Sequence, residues 1–295
     1  MSAQPDLFDR SLFVIRRQRA LKAAKQGADF LLKTVACDLE ERLLLVNRTF
    51  ETAVDLGGHT GLVSEAIESS GKAQQVIRAD LLVADPNLPT PDLVCDDASP
   101  PFRDQSVDLI ISALTLQFVN DLPGALIQYR RALAPDGLLL ATLPGAGTLT
   151  ELRDSLTRAE LEIKGGAAAR VLPFADTRDL GSLLQRAGFA LPVTDLDMFT
   201  VRYDTMFALL GDLRAMGATS ILQDRSRTPL SRRVLFRAAE LYAKNHSDPD
   251  GRIRATFALV TLSGWAPHES QQKPLRPGSA KTSLAEALGV KERKL

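Results

Sequence analysis

The residues best suited to chemistry are Asp55, Gly57, Gly58, His59 and Gly61, in the run Ala53-Val54-Asp55-Leu56-Gly57-Gly58-His59-Thr60-Gly61. The run follows a stretch that reads as a strand and opens one that reads as a helix. A glycine-rich turn of this kind brings backbone N–H groups and a helix N-terminus close to a ligand, because no Cβ stands in the way. A dinucleotide site would show Gly-x-Gly-x-x-Gly. Here an acid closes the strand and the glycines fall at 57, 58 and 61. An acid there repels a pyrophosphate and suits a ligand with a cationic head. A tight strand-to-helix turn without any ligand has the same composition, so the reading needs support from elsewhere.

Two more acids supply it. Asp80 ends Val76-Ile77-Arg78-Ala79, the position from which a carboxylate accepts from both hydroxyls of a ribose. Asp97 follows Leu93-Val94-Cys95-Asp96, where a carboxylate can accept from an adenine amino group. Leu81, Ala98 and Ala113 stand beside these acids or end the next strand, and they complete the candidate ligand-binding set. Each acid alone also fits a plain loop position. Three at the ends of three successive strands point to S-adenosylmethionine, whose α-amino group provides the cationic head.

The elements that must hold these residues follow from the pattern of apolar runs. Thr52–Leu56, Gln75–Ala79, Leu93–Cys95, Val107–Ala113 and Leu138–Leu143 read as strands. Gly61–Ser69 and Leu122–Ala134 read as helices, the second closed by Pro135-Asp136-Gly137. This alternation predicts a parallel sheet with helices on both faces. The strands are apolar on both sides, as a buried parallel sheet requires. Upstream, Leu12 to Val46 reads as helical throughout, with no Pro and one Gly. Its basic stretch Arg16–Lys22 reads either as a docking face for an acidic partner or membrane surface, or as a solvated helix face. Downstream, helices are expected over Thr148–Ile163, Asp179–Ala187, Thr205–Met216 and Leu230–Lys244, and strands over Leu191–Val201 and Ile253–Leu262. The organisation is therefore an N-terminal helical cap (1–50), a ligand-binding domain (51–265) with helical insertions at 148–187 and 205–248, and a polar basic tail (266–295).

Composition excludes several classes. Lys plus Arg number 36 and Asp plus Glu 36, so the net charge is zero and the chain does not coat nucleic acid by bulk electrostatics. No apolar run approaches the roughly 20 residues of a membrane-spanning helix. Two cysteines, Cys37 and Cys95, are too few for a disulfide framework and imply a reducing compartment. The start, MSAQPDLFDR, has early acids and no apolar stretch, unlike a secretory signal, so a cytoplasmic protein is expected.

From Ala53 to Leu143 the sequence resembles the class I S-adenosylmethionine-dependent methyltransferases. Asp97-Ala98 followed by Pro101-Phe102, Ser106-Val107-Asp108-Leu109-Ile110, Val119-Asn120-Asp121-Leu122-Pro123 and Leu133-Ala134-Pro135-Asp136-Gly137 carry the likeness. The resemblance implies a doubly wound, Rossmann-like α/β sheet of seven strands, the last antiparallel, with Ile253–Leu262 supplying it. His59 stands where the family usually has a middle glycine. It either narrows the pocket or hydrogen-bonds the cofactor carboxylate. Further motifs lie outside this fold: Phe8-Asp9-Arg10, Leu149-Thr150-Glu151-Leu152-Arg153, Gly165-Gly166, Asp212-Leu213, Met216-Gly217, and Gly264-Trp265 followed by His268-Glu269-Ser270-Gln271. Together they resemble the mitochondrial complex I assembly factor 5 family and its bacterial relatives, in register from about residue 8 to 288. That resemblance implies a protein substrate near the quinone site of respiratory complex I, with hydroxylation of an arginine as the family's chemistry. Two departures bear on the substrate. Ala218 replaces an acid after Met-Gly, and Gln117 replaces the His of a Leu-His-Trp-Val-Asn-Asp motif.

The candidates for chemistry at the reacting group are Gln117, Asp121, Thr148 and Glu151, in loops or helix starts at the carboxyl ends of the strands, with His268 and Glu269 from the tail. Asp121 also suits a plain helix cap. Hydroxylation usually calls for a metal or flavin. His246, Asp248 and His268 mimic a two-His, one-carboxylate set, but the first two sit in a helix end and turn. No zinc spacing or Gly-x-Ser-x-Gly occurs, so no metal is expected. Methyl transfer asks less of the protein, which need only align a nucleophile with an already activated methyl group. Three functions follow: an enzyme modifying a protein, a small-molecule or malonyl-carrier-protein methyltransferase, or a non-catalytic assembly chaperone that binds the cofactor.

Overall fold

A computed structural model describes residues 6–82, 90–272, 279 and 289. Most of the polar tail proposed at 266–295 lies outside the described residues. The N-terminal region is two helices rather than one, α1 (Arg10–Ala23) and α2 (Phe30–Leu45). Between Leu21 and Phe30 the only apolar residues are alanines, so a continuous helix would have little to bury there. Ala24 turns left-handed and Gly27 follows at φ +77. The chain then alternates: β1 (Phe50–Leu56), α3 (Leu62–Ser70), β2 (Ala73–Asp80), β3 (Leu93–Val94), β4 (Val107–Ala113), α4 (Leu122–Ala132) and β5 (Leu133–Pro144). It continues through α5 (Thr150–Lys164), α6 (Thr177–Arg186), β6 (Ala190–Tyr203), α7 (Met206–Ala215), α8 (Arg232–His246) and β7 (Ile253–Trp265).

The seven strands form one sheet in the order β3-β2-β1-β4-β5-β7-β6. β1 to β5 pair in parallel, and β7 enters antiparallel between β5 and β6. The side-chain period of two builds two cores. Leu109 and Ile111 face the layer of α2, α3, α5, α7 and α8, and Ile110 between them faces α4 and α6. A third, smaller cluster lies over the carboxyl ends of the strands. There α1 brings Phe13 against Phe118, ring centroids 4.8 Å apart, with Phe8, Leu172 and Ile221 around them. The basic stretch of α1 is thus neither a free docking face nor a solvated one. Arg17 is buried and Arg16 half-buried, and only Arg19 and Lys22 are exposed.

Candidate cofactor and substrate site

The turn after β1 is held by the backbone of β2. Gly57 N–H and Gly58 N–H donate to the Ala79 carbonyl, and Gly61 N–H donates to that of Gly58. The turn therefore spends these N–H groups internally and does not offer them to a phosphate, contrary to what a glycine turn suggests from sequence. Its glycines answer to close packing. A Cβ on Gly57 would meet Thr115 Cγ2 at 2.6 Å, and one on Gly58 would meet Asp55 Oδ2 at 2.7 Å. Gly57 and Gly61 have φ of +79 and +89, and His59 sits at +44.

The three acids come together at this edge, all under 7% exposed. Asp55 lies beneath the turn. Its Oδ2 accepts from Ser64 Oγ at 2.7 Å, and its Oδ1 is buried with no partner. Burial pushes its carboxyl up to about 7. Asp80 accepts from the backbone N–H of His59 and of Leu82, each at 2.7 Å. Asp97 accepts from Arg10 Nη2, which also reaches Asp96 Oδ1 at 2.7 Å. Burial lifts the Asp97 carboxyl to about 6, against the pull of Arg10. Leu81 packs on the Phe8–Phe13 cluster, and Ala98 donates its N–H to Asp96. Ala113 opens onto a cavity of about 1130 Å³ that runs from the turn to α5 and α7.

Gln117 lines that cavity as well. Its Nε2 donates to the Leu114 carbonyl at 2.7 Å and its Oε1 is buried without a partner. Thr148 lies on the same lining, and the remaining reaction candidates lie elsewhere. Asp121 caps α4, accepting from Gly124 N–H at 2.9 Å. We expect Asp121→Ala to cost about 1 kcal/mol of stability and to leave cofactor affinity unchanged, as thermal melts and calorimetry would show. Glu151 binds the N–H and hydroxyl of Thr256 on β7, and Thr148 Oγ1 bonds the backbone of Ala258. His268 and Glu269 are exposed, His268 turning to Ser270. His246 and Asp248 sit at one end of β7 and His268 beyond the other, roughly 40 Å of strand apart. Among the described residues no group of three His, Cys, Asp or Glu is placed to hold a metal.

Two residues that sequence reasoning named, Arg10 in a motif and Arg17 in the basic stretch, without placing them in the site, join it from α1. Arg10 meets Asp97, and Arg17 Nε donates to His59 Nδ1 at 2.9 Å. Both guanidinium groups lie over the Phe13 ring, at 5.1 and 5.4 Å. Positions 10, 13 and 17 share one helical face, a spacing visible in the sequence. What they would face was not. Burial, with Arg17 and Arg78 alongside, holds the His59 imidazole well below its usual range, so it is neutral and its Nδ1 accepts.

An α/β sheet of this order, with a glycine turn after β1 and acids on successive strand ends, defines a class I methyltransferase, whose cofactor is S-adenosylmethionine. The residues present suit it: an orphaned carboxylate oxygen on Asp55, a turn closed to phosphate, and the acceptor Asp80 at the end of β2. The methyltransferase domain family model matches residues 29–192, and the chain belongs to that family. Its relatives include the mitochondrial arginine-hydroxylase NDUFAF5 of Homo sapiens, 36% identical over 95% of this chain and 83% of that one. The Danio rerio arginine-hydroxylase is 34% identical, over 95% and 89%. The malonyl-[acyl-carrier protein] O-methyltransferase of Xylella fastidiosa is 35% identical, over 78% of this chain and 80% of that one. Among solved structures, the YcgJ protein of Bacillus subtilis shares the fold, with a TM-score of 0.52 and 14% identity over 78% of this chain and 98% of that one. Among the described residues no helix is long and apolar enough to cross a membrane.

Proposed function

We propose that this enzyme modifies an arginine side chain of a respiratory complex I subunit during assembly, by hydroxylation or methylation, with S-adenosylmethionine bound at the carboxyl edge of the sheet. The observation that carries this reading is the length of the match to the arginine hydroxylases. It covers 95% of the chain, and so includes α1, α2, α7 and α8, which wall the cavity or back it. When bound, the cofactor would supply a methyl group activated on a sulfonium, which serves methylation only; hydroxylation would take its oxygen atom from dioxygen with a two-electron reductant supplied from outside the chain. Asp80 would accept from the ribose, Asp97 from the adenine, and Asp55 would set a negative field beneath the turn. Leu31, Leu152, Leu156, Leu210 and Phe257 give the cavity an apolar stretch of wall. Gln117 Oε1 is a buried acceptor on its lining that has no partner among the described residues. A cytoplasmic placement, with docking at the membrane surface where complex I is assembled, belongs to the same reading.

One observation favours a second reading, a carrier-protein methyltransferase. Among the described residues the only acid lining the cavity is Asp29, already paired with Lys33 at 3.0 Å, whereas Arg16, Arg17, Lys25, Lys33, Arg170 and Arg214 all line it. Such a wall suits an anionic acyl group better than a guanidinium, and Ala218, also on the lining, leaves the acid of the arginine-modifying relatives unreplaced.

Peptide mass spectrometry of the complex I quinone-site subunits, with and without the gene, separates the readings. An arginine heavier by one oxygen or one methylene only when the gene is present supports the first. Unchanged peptides, with methyl transfer to malonylated carrier protein in vitro, support the second. Unchanged peptides and no transfer, with complex I assembly dependent on the chain, would leave a chaperone.

A further inference from the structure

We propose that Arg17 is the carboxylate anchor of the cofactor: its guanidinium takes the α-carboxylate at the amino-acid end of S-adenosylmethionine, and His59 fixes it in place. The inference rests on the reading of the chain as an S-adenosylmethionine enzyme.

Arg17 is 7% exposed and lines the cavity beside the turn. A buried charge is costly unless it is paired. Arg170, the other largely buried guanidinium with an ion pair on the lining, meets Glu160 at 2.8 Å. Arg17 has no carboxylate within ion-pair distance among the described residues. Its only hydrogen bond there runs from Nε to neutral His59, and Phe13 covers one face. Asp80, Asp97 and Asp55 act on it only from further away. Among the described residues Arg17 thus lacks a direct anionic partner, and a single such guanidinium fits a monoanion better than a phosphate. With Nε held by His59, the terminal nitrogens of the planar fork are left to meet a carboxylate.

Position narrows the ligand further. His59 joins two groups, its backbone N–H on Asp80 and its ring on Arg17. Asp80 is the ribose acceptor of the proposed site, so Arg17 stands one residue's width from it, on the cavity side. Thr60 Oγ1 and Gln117 Oε1 are also on the lining and also buried without partners. A guanidinium, a hydroxyl and a carbonyl oxygen that only accepts are the complement of an α-amino-acid head: carboxylate to the first two, ammonium to the third. This gives the glycine-to-histidine departure at position 59 a role. The imidazole fills space that a glycine would leave open, and in doing so sets the orientation of Arg17.

The test compares binding of S-adenosylmethionine with that of its decarboxylated analogue, which keeps the sulfonium, ribose, adenine and amine. The full chain is titrated calorimetrically as wild type, Arg17→Met and Arg17→Lys. Wild type is expected to prefer S-adenosylmethionine by about 10- to 100-fold, the range of a charge-assisted hydrogen-bonded pair. Arg17→Met should bind the two ligands about equally, and Arg17→Lys should keep part of the preference. Equal binding by wild type overturns the proposal, as does a preference that survives in Arg17→Met. If that survival is joined by lost affinity for malonylated carrier protein, the carboxylate Arg17 holds is the substrate's. Should Arg17→Met fail to fold, a wild-type preference undiminished in Arg17→Lys counts against the proposal and a reduced one supports it. Wild type binding neither ligand would sink the cofactor reading itself, a separate failure.

Discussion

Replacing Asp80 with Ala is expected to abolish measurable cofactor binding and to lower stability by about 2–6 kcal/mol. The carboxylate does two jobs with the same two oxygens. It accepts the N–H of His59 and of Leu82, and so ties the glycine turn to the end of β2. Each buried N–H left without an acceptor costs about 1–3 kcal/mol, and the side chain is itself buried. The same oxygens keep lone pairs for a ligand, and their loss removes the acceptor for the ribose. His59 then loses its backbone anchor, and with it Arg17 loses its support. Asp80→Asn is the milder variant. Its amide oxygen can keep one of the two N–H bonds, so it should fold close to wild type and still bind at least tenfold more weakly. Calorimetric titration with S-adenosylmethionine and thermal melts read both effects. Near-normal affinity in a folded Asp80→Ala protein would remove Asp80 from the site.

The parts of this molecule that were legible in its sequence are those decided locally. The glycine turn and its acids were legible because a strand end, a turn and a helix start sit within nine residues. β4 was legible to its exact bounds, because Val107, Leu109, Ile110, Ile111 and Ala113 place apolar residues on both faces with only Asp108 and Ser112 between them. β5 was read as starting at Leu138, since Pro135-Asp136-Gly137 looks like a turn that closes a helix. The structure starts it at Leu133, where Val107 pairs across a bulge, and that pairing comes from a segment 26 residues away. β6 and β7 run to 14 and 13 residues because each is the other's partner for nearly its whole length, which neither stretch shows alone. The site divides in the same way. Asp121 as a cap was readable from Asn120-Asp121-Leu122-Pro123. Glu151 as a support for Thr256, and Arg17 as a neighbour of His59, were not, because those pairs are 105 and 42 residues apart. The basic residues of α1 looked like surface because charge usually is. A ligand cavity is where that rule fails.

The second large effect is in the pH dependence, and it comes from Asp55. Its carboxyl rises from an ordinary 3.8 to about 7 in the folded protein, because burial disfavours the charged form more than Ser64 can offset. The folded state therefore holds a proton that the unfolded chain has already released. Stability from this group is full below about pH 4, declines as pH rises to about 7, and is then level. The loss is on the order of 4 kcal/mol across that window, and Asp97 adds a loss of the same sign between 3.8 and about 6. Glu160, held at about 2 by Arg170, the Ala168 N–H and Lys164, works the other way, and its contribution disappears as pH falls from about 4.5 towards 2. The ligand-free protein should accordingly melt roughly 5–10 °C higher at pH 5 than at pH 8. Asp55→Asn should flatten that slope and raise the melting temperature at pH 8, because a neutral amide costs far less to bury than an ionised carboxylate and can donate to Ser64. The same variant should bind S-adenosylmethionine about 30-fold more weakly, since a unit charge this close beneath the turn is worth on the order of 2 kcal/mol to a cation lying over it. Melts at pH 5, 6, 7 and 8 with calorimetry at pH 8 check both halves. A slope unchanged in Asp55→Asn would mean the proton is held elsewhere. A variant both more stable and weaker in binding would show that the fold tolerates an unfavourable buried charge because the cofactor's cationic end is there to meet it.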